Sequence, residues 1–195
     1  MEYLKGCSLR KHMDEKFRKG ETFEISRTIK IIILPTCRAL AQAHSLGIYH
    51  RDLKPDNVIY TEPNRAEIKI TDWGLGININ KQSMALTGNI GGLGGTPAYC
   101  SPEQWFSMGE VDGRTDIFSL GVLFYEMITG KIPLVYESQN TQRRNRPQAP
   151  SKINLAISRY LDQCILKMVE FDVANRYQSV WELIIDLESA PDNYS

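Results

Sequence analysis

Between Ile117 and Ile128 the chain carries a segment that is apolar on nearly every side of a helix. A helix of that kind must be surrounded by the rest of its domain. Partners for it are legible downstream. Ile157, Tyr160, Leu161, Cys164, Ile165 and Met168 recur at helical spacing, as do Val180, Leu183, Ile184 and Leu187. Upstream, Thr22 to Leu46 reads as a long helical stretch stopped by Gly47, with a kink or break expected near Pro35. The residues from Met1 to Met13 show no clear period. Val58–Tyr60 and Ile68–Ile70 are short β-prone runs, and the turn-like Glu62-Pro63-Asn64-Arg65 between them predicts a small hairpin. A glycine-rich stretch over 74–97 predicts a mobile loop, and the polar, proline-bearing 134–152 an exposed connection. No internal repeat is present. The expected fold class is mainly α, with one small β-hairpin.

The chain has 195 residues, long enough for one sizeable core, and 23 basic residues balance 23 acidic ones. A net charge of zero provides no global field for nucleic acid or an anionic membrane. The one dense basic run, Arg143-Arg144-Asn145-Arg146, reads as a solvated loop. Apolar runs such as Ile31–Leu34 are far too short to span a bilayer, and no signal-peptide pattern opens the sequence. Cys7, Cys37, Cys100 and Cys164 lie far apart and form no CxxC pair. Free thiols in a reducing compartment, hence a cytoplasmic protein, are the expectation.

The chemistry is concentrated in His50-Arg51-Asp52-Leu53-Lys54-Pro55-Asp56-Asn57. Asp72-Trp73-Gly74 follows, then Gly95-Thr96-Pro97-Ala98-Tyr99-Cys100-Ser101-Pro102-Glu103, then Asp116-Ile117-Phe118-Ser119-Leu120-Gly121, and Arg176 near the end. A lone Asp or Asn is usually a surface or capping residue, but the eight-residue block reverses those odds. In this order and spacing the segments resemble the protein kinase family: the H-R-D-x-x-x-x-N catalytic loop, the D-F-G motif with Trp for Phe, and the A-P-E segment with Ser for Ala. The resemblance covers essentially the whole chain and implies a kinase-like C-terminal lobe over 1–195. Within it the hinge would be 1–8, the catalytic loop 50–57 and the activation segment 72–103.

The resemblance implies roles residue by residue. Asp52 would accept or orient the proton of the substrate hydroxyl, and Lys54 would contact the γ-phosphate of ATP. Asn57 and Asp72, oxygen donors of the kind Mg²⁺ prefers, would be its ligands. Thr96 would hydrogen-bond Asp52 and Lys54; with Lys54 it favours Ser/Thr over Tyr as the acceptor in a protein substrate. In the hinge, Met1 would be the gatekeeper, Glu2 and Leu4 would bond adenine through their backbones, Ser8 would lie near the ribose, and Ile59 would form the apolar floor. His50 would pack on Trp73, Asp116 would hold the catalytic-loop backbone, and Glu103 and Arg176 would form a buried ion pair. His44 is expected to be a satisfied core histidine and His12 to be solvated. Arg51 marks the subclass that pairs with a phosphorylated activation loop, for which Thr87 and Ser83 are the nearest candidates. Asp56 reads either as a reader of basic substrate residues or as a solvated carboxylate.

No G-x-G-x-x-G occurs in the sequence, and Lys69 sits too close to Asp72 to be the phosphate-anchoring lysine of a V-A-I-K strand. That lysine and its helix glutamate are expected to lie before Met1, in an N-terminal lobe missing from this chain. Two readings of different class follow: an ATP- and Mg²⁺-dependent protein serine/threonine kinase, or a non-catalytic kinase-like binding module. A small-molecule phosphotransferase fits poorly, since those enzymes lack the Arg51–Pro55 and Thr96–Glu103 patterns.

Overall fold

The computed structural model describes residues 6–60, 67–73, 97–106, 110–133 and 147–189. The central element is the helix α5 (Gly113–Thr129), buried from Thr115 to Thr129. Asp112 caps its start by accepting from the Arg114 amide at 2.9 Å, and Gly130 ends it at φ 71°, a left-handed cap that costs glycine nothing. Gly121 lets α6 (Arg159–Met168) press against α5, because a Cβ there would stand 2.6 Å from Met168 Cβ. α7 (Val180–Glu188) completes this half and packs along α3 (Leu34–Ser45).

Ahead of α3 the chain runs through α2 (Ile25–Thr28), capped by the Glu24 carboxylate, and one wide π turn (Ile29–Ile33). Pro35 has no N–H to donate four residues back, and its ring would strike that carbonyl in a regular helix. The wide turn, in which the Leu34 amide bonds Ile29 O, is how the expected break is realised. Gly47, at φ 72°, sits just past the end of α3 and donates to His44 O.

Val58–Tyr60 (β2) pairs antiparallel with Ile68–Ile70 (β3), so the two strands of the expected hairpin meet in register Val58↔Ile70. The proposed turn at 62–65 lies outside the described residues. Two features correct the sequence reading. The opening segment, read as aperiodic, contains a third strand β1 (Cys7–Ser8) paired with β2, followed by the helix α1 (Leu9–Arg18), which buries Leu9 and Met13. His12, expected in solvent, instead stacks on Tyr60 at 5.3 Å and meets the edge of Phe23 at 5.2 Å. Burial pushes its pKa below the usual value, and the nearby Lys16 charge adds to that shift. The four cysteines are free, as expected. Among the described residues no helix is long and apolar enough to cross a membrane. The basic run 143–146 and the glycine-rich stretch fall outside the described residues, apart from its last residue, Pro97.

Candidate active site

The site is built on a loop whose backbone is held from behind. Asp116, fully buried in the first turn of α5, accepts from the His50 amide at 2.8 Å, the Arg51 amide at 2.7 Å and His44 Nε2 at 2.8 Å. Those bonds fix Arg51 at φ 65°, a left-handed conformation that a side-chain-bearing residue adopts only when its surroundings impose it. Gly113 makes room for His44, since a Cβ there would lie 2.6 Å from the ring. His44 is thus a satisfied histidine, and Asp116 anchors the loop.

The loop then turns Asp52 outward. Its Oδ2 accepts from Lys54 Nζ at 2.8 Å and from Asn57 Nδ2 at 3.2 Å, and its carbonyl accepts from Asn57 Nδ2 at 2.8 Å. Asp52 and Lys54 are 39% and 37% exposed, so their ion pair is worth only about 0–1 kcal/mol; its value lies in position. Asn57, carried on the 3-10 turn Pro55–Asn57, is buried, and its amide N–H groups are committed to Asp52. Its carbonyl oxygen Oδ1 is left as the atom that can meet a cation, and no described residue donates to it.

Asp72 is joined to the same loop through Thr71, whose amide and hydroxyl both donate to Asn57 O, at 2.9 and 3.3 Å. Like Arg51, Asp72 lies in the left-handed region, at φ 61°, with an exposed side chain. His50 completes the link. Its Nδ1 accepts from the Asp52 amide at 3.3 Å, and its Nε2 donates to Thr71 O at 2.8 Å. Those partners assign the Nε2–H tautomer. The His50 ring meets Trp73 edge-on at 5.0 Å, the packing expected of this pair. Asp52, Lys54, Asn57 and Asp72 are therefore carried on one hydrogen-bonded framework. Ser8 and Ile59 also meet, as Cα partners across β1 and β2, with the Ser8 hydroxyl capping α1. Met1, Glu2, Leu4, Thr96, Ser83 and Thr87 lie outside the described residues. Asp56 is exposed.

The segment after Thr96 is fastened in three places. Gln104, in the short helix α4 (Pro102–Trp105), donates to Arg51 O at 2.7 Å and reaches back to the Ser101 amide. Glu103 takes both ends of the Arg176 guanidinium at 2.8 and 2.7 Å, the expected buried pair. Tyr99 bonds Glu126 and Arg10, and Arg10 spans both Glu126 oxygens at 3.1 and 3.2 Å. Although burial disfavours its charge, Arg10 is held protonated by Glu126; Tyr99 is pushed up by burial and then by the same carboxylate. Cys100, pushed up to about 12 by burial and then by the Glu103 and Asp52 charges, stays a thiol and is no nucleophile. Sequence reasoning missed Gln104 and Arg10. The signal for Arg10 was present: Glu126 is a carboxylate in an otherwise apolar, buried helix, and a buried charge needs a partner.

Residues 1–184 match the protein kinase domain family. A probable serine/threonine-protein kinase of Clostridium perfringens is 37% identical over 193 residues, spanning 96% of this chain and 26% of that protein. One of Streptomyces coelicolor is 36% identical over 199 residues, spanning 98% of this chain and 28% of its own length. The chain thus spans about a quarter of the length of these relatives. The crystal structure of the Mycobacterium tuberculosis PknI kinase domain superposes with a TM-score of 0.71 at 23% identity, over 96% of this chain and 64% of that one; this is a likeness of fold. With the hydrogen-bonded framework of the 50–57 loop, the Asp116 anchor and the Glu103–Arg176 pair all in place, the chain belongs to the protein kinase domain family.

Proposed function

We propose that this chain is the part of a protein serine/threonine kinase that carries the catalytic loop and metal-binding motif, transferring the γ-phosphate of ATP to a hydroxyl of a protein substrate. The observation that carries the reading is Asp52 itself: a half-exposed carboxylate with Lys54 Nζ at 2.8 Å, on a loop locked by Asp116. Phosphoryl transfer needs position and charge neutralisation more than covalent help. As the substrate oxygen bonds to the γ-phosphorus and the bond to the ADP oxygen breaks, the hydroxyl proton passes to Asp52. Lys54 faces the transferred group and balances its charge. Thr96 would brace both residues, and with Lys54 it favours serine or threonine over tyrosine.

The donor set fits Mg²⁺. Asn57 Oδ1 and the exposed Asp72 carboxylate are hard oxygen ligands, few in number, as suits an ion that shares its shell with phosphates and water. When bound, Mg²⁺ neutralises phosphate charge. Adenine would bond the Glu2 and Leu4 backbones in a hinge at 1–8, above Ile59, with the ribose near Ser8. The pairing of Ser8 with Ile59 supports that arrangement. The activation segment would be 72–103. Dependence on ATP and four free thiols fit a cytoplasmic setting.

The test is calorimetric. In a kinase domain that includes these 195 residues, Asp72→Ala should abolish the strengthening of ATP binding by Mg²⁺ while leaving thermal unfolding unchanged. Undiminished Mg²⁺-dependent affinity would remove Asp72 from its role.

A further inference from the structure

On the face of the molecule that holds the outer end of α3 lies a cavity of about 320 Å³ that the kinase reading does not use. It opens between the end of α3, the start of α5 and the start of α7. Ala41, Ile117 and Val180, all buried, form its floor. Its walls are aromatic: His44 and Tyr49 meet edge to face at 5.3 Å and 74°, and Trp181 lines the opposite helix while remaining 58% exposed. An apolar floor, aromatic walls and a few polar groups at the mouth, in a volume of a few hundred Å³, are the features of a small-molecule site.

The surroundings narrow the ligand. The two charges at the mouth satisfy each other, since Arg114 spans both Asp112 oxygens at 3.0 Å and 2.6 Å and its remaining arm bonds Gln178 at 2.9 Å. No net charge is left to select an ion. Leu46, Ile48, Trp181 and Ile185 are four of the six exposed large apolar residues among those described. Each lines the cavity, adjoins a lining residue in the chain, or lies one helical turn from one. Such clustering marks an interaction site rather than scattered surface apolarity.

We propose that this cavity binds a small, uncharged, planar aromatic compound, stacked between Trp181 and the His44–Tyr49 pair. An occupant touches the ring whose Nε2 bonds Asp116, so the site stands one residue away from the carboxylate that holds the catalytic loop.

Indole serves as the probe, titrated into protein labelled with 5-fluorotryptophan and followed by fluorine NMR. The Trp181 resonance should move saturably while those of Trp73 and Trp105 stay in place, and Ser45→Phe, which fills the mouth from the end of α3, should weaken the apparent affinity about tenfold or more. Trp181→Ala, read instead at the His44 imidazole proton, should weaken it comparably, which keeps the test decisive if Ser45→Phe does not fold. No saturable shift at Trp181, equal shifts at all three tryptophans, or unchanged affinity in the folded variants would overturn the proposal. None of these readouts depends on phosphoryl transfer, so the site stands or falls separately from the proposed kinase activity.

Discussion

Glu103→Ala removes the only acidic side chain bonded to Arg176 among the described residues, and the structure permits an estimate of the cost. Arg176 is 2% exposed and Glu103 3%. The guanidinium donates to both Glu103 oxygens, and to the backbone oxygens of Glu170 at 2.6 Å, Phe171 at 3.1 Å and Arg114 at 3.2 Å. Thr115 adds a bond to Glu103 Oε1 at 2.8 Å. Truncating the glutamate leaves a cation in the interior with carbonyls and the Phe118 ring but no counter-charge, a loss of about 3–5 kcal/mol. A domain is stable by only about 5–15 kcal/mol, so the variant should melt far earlier in urea. Arg176→Ala should cost a similar amount, and the double variant clearly less than the sum, since each single change strands the other member of the pair. There is also a pH signature. Burial by itself would raise the Glu103 carboxyl, but Arg176 outweighs it and holds the group below the usual carboxylate range. A lowered folded pKa gives stability that is full above the unfolded value and lost as pH falls through the folded one. The gap between parent and Glu103→Ala should therefore narrow in acid. Additive losses in the cycle, or a gap constant with pH, would refute the reasoning.

Gly121→Ala places a Cβ 2.6 Å from Met168 Cβ and 2.8 Å from Val169 Cγ1, so overpacking of α5 against α6 should cost about 1–3 kcal/mol in thermal melts. His12 is held below its ordinary pKa of 6.5, so its contribution is present above that value and lost as pH falls beneath it. Replacing it with Phe should flatten the decline of the melting temperature between neutral and mildly acidic pH; an unchanged slope would deny His12 a part in it.

Most of the architecture was legible because it rests on periodicity. α6 and α7 repeat apolar residues at the spacing a helix needs, α5 is apolar on nearly every side, and Gly47 stops α3 by a backbone conformation that favours glycine. The framework of the 50–57 loop was legible too, through the resemblance of His50–Asn57 to the protein kinase motif. What escaped was set by tertiary contact. The strand Cys7–Ser8 is two residues long and exists only through its pairing with β2. α1 alternates charges and apolar residues so closely that its buried Leu9 and Met13 stand out only once β2 and the Pro55–Asn57 turn cover them. His12 was misplaced for the same reason: a histidine does not announce the Tyr60 ring it stacks upon. Gln104 bonds a backbone oxygen fifty-three positions away, and no local pattern encodes that.

The central claim is that Asp52 is the group toward which the acceptor hydroxyl gives up its proton. In a kinase domain including this chain, Asp52→Asn keeps the size of the side chain, and through its amide oxygen the contact with Lys54, but takes away the basic carboxylate. Turnover on a protein substrate, measured by transfer of radiolabelled phosphate from ATP, should fall about 10²- to 10⁴-fold, with ATP affinity nearly unchanged. Turnover equal to the parent's, at equal ATP affinity, would contradict the account.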